Sequence, residues 1–378
     1  MQRITIIGSG ITANIAALVF SNIYGLEVVL VKSEKKMNAN ASRHFAISPA
    51  SIELLESLDI WGDIKLSATP FGLMHLRSGS GDNAKSLLIE ARAFGKDMLG
   101  MIVQEHNLIE ALNKVVEQKV KANAIKKSDY KKTISLFTKD EKTRPDEIFL
   151  VLDKSLDFLI QTVSPNSRKI KYHESALVTE IQTRQEIEPI AWQNFTQYGP
   201  LALLPSKENR YSLIWSLHNS QISDFQGKTD EELLGMISEF FPEINFESAQ
   251  LTERSFFPLK AFHTNNYFKG NVVLAGDCAH QLLPLAGQGL NLGIADIGEL
   301  ACQIKKGLGE SLLVSDRKIL SKYQAKRHKE NTKMILFTDL IDKAFRTNSR
   351  IASNLLTLAD YPIIKNLMIH QAGGQISK

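Results

Sequence analysis

The run Gly276-Asp277-Cys278-Ala279-His280-Gln281-Leu282-Leu283-Pro284-Leu285-Ala286-Gly287-Gln288-Gly289-Leu290-Asn291 decides how the rest of this chain is read. Asn271-Val272-Val273-Leu274-Ala275 leads into it, a short apolar run of the kind that forms a buried strand. Behind it, Gly287-Gln288-Gly289 opens an amphipathic stretch from Leu290 to Leu300 that reads as a helix. A strand, an acid, a glycine-rich turn and a helix start together make a holder for a polar, phosphate-bearing ligand. Glycine lets the backbone come close, and the free N–H groups of a helix start face the ligand. Asp277, just past the strand end, is placed to accept hydrogen bonds from ligand hydroxyls.

The N-terminus carries a matching half. Ile4–Ile7 reads as a buried strand, Gly8-Ser9-Gly10-Ile11-Thr12-Ala13 as a turn, Ile15–Ile23 as a helix and Leu26–Val31 as a second strand. This is the βαβ dinucleotide fingerprint, with Ala13 at the third small position and Gly8 and Gly10 under the phosphates. Such folds usually end the second strand in a carboxylate that binds ribose hydroxyls. Here Lys32 stands at that place, and an ammonium donates but cannot accept. Glu34 has the same parity but lies about 6.6 Å further along an extended chain.

Composition narrows the classes. The 378 residues suit two intimately packed domains or one large α/β unit. A net charge of +4, with the lysines spread out, gives no footprint for nucleic acid. Cys278 and Cys302 have neither disulfide-framework nor metal-type spacing, so a reducing compartment and no metal are expected. The chain starts directly with a strand, which leaves no room for a signal or transit peptide. No apolar run reaches about 18 residues, so no spanning helix is expected. A cytoplasmic protein is the expectation, peripheral at most on the inner face of the membrane.

The run from Gly276 to Asp296 resembles the second flavin-binding motif of FAD-dependent aromatic hydroxylases of the p-hydroxybenzoate hydroxylase fold. It is most similar to the ubiquinone-biosynthesis hydroxylases, with the pattern GDAAHxxHPxAGQGxNxGxxD. Leu283 departs from it where the family has His, and Ala295 where it has a basic residue. The resemblance continues in order along the chain. Arg43–Trp61 is similar to RxxALSxxSxxLLexLGLW, with Ser48 as N-cap and Pro49 at the first helical position of a helix to about Leu58. Leu99–Leu108 is similar to LGyvVENxxL, and Ala191–Pro205 to AxxRFxxxGPLALLPL. Trp215, Phe257-Pro258-Leu259, and Tyr323 with Arg327 fall on further family positions.

The resemblance implies an α/β fold: a Rossmann-like FAD-binding domain of the p-hydroxybenzoate hydroxylase type with an interleaved β-sheet substrate domain and a C-terminal helical segment. The expected bounds are 1–75, 98–175 and 265–310 for the FAD-binding domain, 76–97 and 176–264 for the substrate domain, and 311–378 for the helical segment. The expected cofactor contacts are Gly8, Gly10, Ala13, Arg43 at the pyrophosphate, Gln104 near the ribityl chain, Gly276, Asp277 on the ribityl hydroxyls, Pro284 at the ring edge, and Gly287, Gln288, Gly289, Leu290 and Asn291. For Gln104 a plainer reading stays open, in which it ends a strand and Asn107 caps a helix from Leu108 to Val116.

Relatives have an ADGxxS motif after a strand, and Gln161–Arg168 is its expected counterpart, with Val163 in place of the aspartate. The lysine-rich stretch Gln118–Asp146 is expected to hold a meander of short strands, and Asp316–Phe345 a long helical pair. The basic run Arg346–His370 is where membrane or partner contact is expected, although a helix packed on the sheet is the plainer account. No side chain stands out as a catalytic base, and His280 reads as a structural hydrogen-bonding residue.

The implied activity is hydroxylation of a small, prenylated aromatic ring of ubiquinone-type biosynthesis, using O2 and FAD, with NAD(P)H as electron donor and a quinone-biosynthesis complex as setting. Two other readings stay open: a flavin oxidoreductase fed by another donor, and a non-catalytic FAD-binding family member serving as an assembly subunit.

Overall fold

The computed structural model describes residues 1–33, 43–78, 85–138, 144–165, 167–170, 173–282 and 288–347. β1 (Gln2–Ile7), α1 (Ile11–Ser21) and β2 (Leu26–Val31) form the expected βαβ unit. The last four residues of β1 are all buried, so both faces of the strand are covered, which is why it reads as a continuous apolar run. β3 (His44–Ile47) leads into α2 (Pro49–Glu56), which starts as its sequence implies. Ser48 Oγ accepts from the Ser51 N–H at 3.3 Å, and Pro49 takes the first helical position. α3 (Trp61–Lys65), β4 (Thr69–Phe71), β5 (Leu73–Ser78), β6 (Lys85–Glu90) and β7 (Gly100–Gln104) follow.

Several local expectations are corrected. α4 (Glu105–Lys121) begins before Asn107, so Asn107 caps nothing and Gln104 holds the N-cap position. The lysine-rich stretch is no meander. It gives β8 (Ile125–Lys127) and α5 (Tyr130–Thr138), whose Tyr130, Ile134 and Phe137 meet the main core at helical spacing. β9 (Glu147–Val151) ends well before Val163, which lies buried at the end of α6 (Asp157–Val163).

The middle of the chain is β-rich: β10 (Arg168–Ile170), β11 (Glu174–Gln182), β12 (Ile190–Thr196), β13 (Gly199–Ser206) and β14 (Arg210–His218). α7 (Ile222–Gly227) and α8 (Asp230–Phe240) come next, the latter started by a reciprocal Thr229–Glu232 capping box. Five short strands follow: β15 (Gln250–Leu251), β16 (Ser255–Pro258), β17 (Ala261–His263), β18 (Phe268–Lys269) and β19 (Val272–Leu274). β20 (His280–Gln281) precedes α9 (Gln288–Gly309) and α10 (Arg317–Thr347). α10 runs unbroken where a helical pair was expected, since no glycine or proline interrupts it.

The main sheet has the order β18-β19-β9-β1-β2-β8, parallel except for the β18–β19 hairpin. α1 packs against α4 and α9 beside it, and this core is the larger one. The second large sheet runs β15-β11-β14-β13-β12-β5-β6, with β16 also on β11. Its Leu177, Trp192, Leu203, Leu213 and Trp215 pack under Leu233, Ile237 and Phe240 of α8, a second core. By strand alternation Ala202, Leu204, Ser212 and Ile214 lie on the opposite face. Leu204 and Ala191 there meet Ala46, Phe71 and Ile102 of the small sheet β3-β7-β4. Among the described residues, no helix is long and apolar enough to cross a membrane.

Candidate functional site: a cofactor cleft over three strand ends

Parallel pairing puts the C-terminal ends of β19, β9 and β1 side by side, and a crevice over such ends is where open α/β sheets hold ligands. β1 delivers Gly8-Ser9-Gly10, β9 delivers Leu152-Asp153-Lys154, and β19 delivers Ala275-Gly276-Asp277. Their mutual approach is close. The Leu152 N–H donates to Ile7 O at 2.9 Å, and the Gly8 N–H to Val31 O at 3.0 Å. A Cβ on Gly8 would sit 3.1 Å from Leu152 Cβ and 3.2 Å from Ala13 Cβ, so the first glycine and the small third residue of the fingerprint are both needed for packing. Gly276 adopts φ +53°, the left-handed region that favours glycine, and a Cβ on Gly293 would lie 3.4 Å from its Cα.

Gly10 occupies the N-cap position of α1 with extended backbone, so the N-cap residue itself places no side chain on the first-turn N–H groups of α1. Asp277 is half exposed at the neighbouring tip. An uncapped helix start, a close-packed Gly8, a left-handed Gly276 and a half-exposed carboxylate fit a diphosphate with an attached polyhydroxyl chain. FAD is such a group.

The other end of the cleft is built by α9. Asn291 uses its whole carboxamide there: Oδ1 accepts from the Ser48 N–H and Ser51 Oγ, both at 2.9 Å, while Nδ2 donates to Ala46 O at 2.8 Å and to Gln288 Oε1 at 3.5 Å. The Asn291 side chain is the tie that docks the start of α9 on the β3–α2 junction, and its bonding capacity is spent. Gln288 is buried at the first turn of α9, with Gly289 and Leu290 beside it. Pro284 and Gly287 lie outside the described residues. Arg43 and Gln104 meet at one corner, where His44 of β3 pairs with Gln104 of β7. The Arg43 guanidinium is 3.7 Å from Glu105 Oε1 and 5.6 Å from the Phe45 ring centre, with half of the side chain exposed.

The sequence comparison with ADGxxS is corrected here. The acid that follows a main-sheet strand is Asp153, not a residue near Val163, because β9 ends at Val151. Asp153 is fixed by the Ser155 N–H at 2.9 Å, Ser155 Oγ at 2.7 Å and the Tyr130 hydroxyl at 3.2 Å. Burial raises its pKa, but hydrogen bonds from Ser155, Ser33 and Tyr130 outweigh it and hold the carboxyl below its ordinary value. The signal for Asp153 was an apolar run, Ile148–Val151, ending two residues before an acid. Lys32 turns its ammonium to Asn113 Oδ1 at 3.3 Å, an oxygen it shares with Asn14 Nδ2 at 3.2 Å.

Beneath the Gly276 loop lies a buried network that the sequence did not reveal. Asp296 accepts from the Gly276 N–H (2.9 Å), His280 Nε2 (2.6 Å), Arg327 Nε (2.7 Å) and Asn331 Nδ2 (3.1 Å). Burial would raise the Asp296 carboxyl, but the charges of His280 and Arg327 and their hydrogen bonds win, holding it well below the usual carboxylate range. Asn331 also donates to the Tyr267 hydroxyl at 2.9 Å, which is hydrogen-bonded to His263 at 2.8 Å. His280 is thus a structural residue, as read from the sequence.

This architecture is the fold of the FAD-dependent aromatic monooxygenases. The chain superposes on p-nitrophenol 4-monooxygenase PnpA from Pseudomonas putida with a TM-score of 0.72 at 14% identity, covering 99% of this chain and 100% of that one. It superposes on PqsL from Pseudomonas aeruginosa with a TM-score of 0.71 at 17% identity, covering 94% and 99%. The FAD binding domain family matches residues 161–338. Within that class the chain is a relative of the ubiquinone-biosynthesis hydroxylases, as its second flavin motif implied. It is 25% identical over 366 residues to the mitochondrial ubiquinone biosynthesis monooxygenase COQ6 of Mus musculus, covering 84% of this chain and 76% of that one. It is equally 25% identical over 360 residues to the 3-demethoxyubiquinol 3-hydroxylase of Escherichia coli K12, covering 92% and 90%.

Proposed function

We propose that this chain is an FAD-dependent monooxygenase that hydroxylates an aromatic ring of a ubiquinone-type precursor. The observation that carries the reading is the cleft over β1, β9 and β19, in which an uncapped α1 start, close-packed glycines and Asp277 converge. FAD supplies the redox chemistry, activating O2 once it is reduced. The protein's share is to bind and orient. Gly8, Gly10 and the α1 N-terminus take the diphosphate, Arg43 adds charge beside it, and Asp277 and Gln104 take the polyhydroxyl chain. The start of α9 borders the reacting ring, where a helix N-terminus favours negative charge.

The substrate side is the face of the eight-stranded sheet turned away from α8, with Ala202, Leu204 and Ile214 on it. That face is mixed: Glu180 and Gln193 share it with Ser212, while its apolar residues suit a prenylated phenol. Reduction by NAD(P)H is part of the proposal. Asp153, an acid just past the end of β9 and the counterpart of the motif aspartate, supports it. Work within a quinone-biosynthesis complex, at the cytoplasmic face of a membrane reached through the basic run Arg346–His370, completes it. Binding to anionic liposomes at low salt, lost on truncation after Arg346, tests that last part.

The experiment for the activity is anaerobic addition of NADH or NADPH to the FAD-loaded protein, then oxygen and a prenylated phenol. Bleaching by nicotinamide and a product one oxygen heavier are expected. Bleaching by dithionite alone would refute the donor. Reoxidation without any oxygenated product would refute the hydroxylase reading.

A further inference from the structure

We propose that Lys154 is a ligand of the cofactor's diphosphate, parked on Asp277 in the free chain and exchanged onto phosphate when the cofactor's hydroxyls take the Asp277 carboxylate. The proposal rests on the flavin reading above and names a residue of that site that neither glycine motif contains.

Position comes first. β9 lies between β1 and β19 with both pairs parallel, so Lys154, just past the end of β9, stands between the Gly8–Gly10 turn and Gly276-Asp277. The backbone there is fixed against both glycine loops: Leu152 donates to Ile7 O at 2.9 Å, and Leu152 side-chain atoms lie 3.1 Å and 3.8 Å from where Cβ atoms of Gly8 and Gly276 would be. The backbone that carries the lysine is therefore held at the cleft.

Availability is the second point. Lys154 Nζ is 2.9 Å from Asp277 Oδ2, and the two side chains are 56% and 52% exposed. An ion pair this open contributes little, so breaking it to make two new contacts is cheap. The other cations at these loops are engaged differently. Lys32 faces Asn113, and Arg43 is held by Glu105 between the rings of Phe45 and Phe257. Among the described residues, Lys154 is the cation whose partner is itself a candidate cofactor ligand, so occupation of Asp277 releases its charge at the moment a diphosphate enters.

Need is the third. A diphosphate brings two negative charges, and a helix start offers only about half a positive one. Nearby Asp153 is negative and kept so by Ser155 and Tyr130. A full cation at the β9 tip offsets both.

Flavin titrations of the whole chain, read by quenching of flavin fluorescence, test this with wild type, Lys154→Ala, Lys154→Arg and Asp277→Asn at low and high salt. Loss of one charge-assisted hydrogen bond should weaken FAD binding by Lys154→Ala roughly tenfold. The salt dependence should flatten with it, and Lys154→Arg should keep most of the affinity. Riboflavin, which has no phosphate, should bind Lys154→Ala as it binds wild type, while Asp277→Asn should weaken both flavins. Unchanged FAD binding by Lys154→Ala, or equal losses for FAD and riboflavin, overturns the proposal and leaves the flavin reading intact. A folded wild-type chain that binds neither flavin overturns that reading, and this inference with it.

Discussion

Replacing Asp296 by alanine should unfold more of this protein than any other single truncation in the cleft. The carboxylate is fully buried and is the only negative charge touching Arg327, which is itself 3% exposed, among the described residues. Without it Arg327 keeps Asn331 Oδ1 at 2.7 Å and Leu292 O at 3.5 Å, both neutral. Breaking a buried ion pair by removing one partner costs about 3–5 kcal/mol, because the remaining charge stays buried and unpaired. The Gly276 N–H and His280 lose their acceptor in the same step, which keeps the estimate at the upper end of that range. Against a total stability of about 5–15 kcal/mol, this is a large fraction. Urea unfolding followed by circular dichroism measures the loss, and hydrogen exchange of the Gly276 amide reports the loop directly. Adding Arg327→Leu to Asp296→Ala should recover stability, since it removes the stranded charge. A loss under about 1 kcal/mol, or a double variant worse than the single, would refute the idea that a buried charge pair supports the Gly276 loop.

Two further outcomes follow from the same region. Burial, with the charges of His328 and His280, pushes His263 down to about 3, with Asp296 opposing, while its ring stacks on His328 and bonds Tyr267. The unfolded chain takes up this proton near the ordinary value of about 6.5 and the folded chain only near 3. Stability is therefore greatest above 6.5 and falls as pH drops toward 3. Urea midpoints between pH 7 and 4 should decline less steeply in His263→Phe, and parallel slopes would contradict the assignment. Asn291→Ala should cost about 1–3 kcal/mol by stranding the Ser48 N–H and Ala46 O. A thermal melt without flavin checks it, and an unshifted midpoint would mean that α9 is docked by other contacts.

What the sequence made legible follows from range. The βαβ unit is a local pattern, with continuous apolar strands around a glycine turn, and Ser48-Pro49 and Thr229…Glu232 start their helices through neighbours a few residues away. α10 was legible as helix but not as one helix: a pair was expected, although no glycine or proline between Arg317 and Thr347 breaks it. α5 was hidden by its lysines: Tyr130, Ile134, Leu136 and Phe137 carry its short apolar stripe. The cleft divides the same way. Gly8, Gly10, Ala13, Gly276 and Asp277 belong to local motifs that lie at the ends of β1 and β19 and the start of α1. Asp153 was passed over because motif spacing was weighed above the end of the apolar run at Val151. The Asp296 network joins residues 276, 280, 296, 327 and 331, and the Asn291 tie spans from α9 back to residues 46–51. Contacts of that reach depend on how helices dock, which no local pattern encodes.

The central claim is that the three strand ends hold FAD, and the most direct measurement is the visible absorption spectrum of the purified chain before and after reconstitution with FAD and removal of excess. The account predicts a bound flavin spectrum at one FAD per chain, weakened in a Gly8→Val variant whose new side chain would collide with Leu152 and Ala13. A folded protein that stays colourless after reconstitution would contradict it.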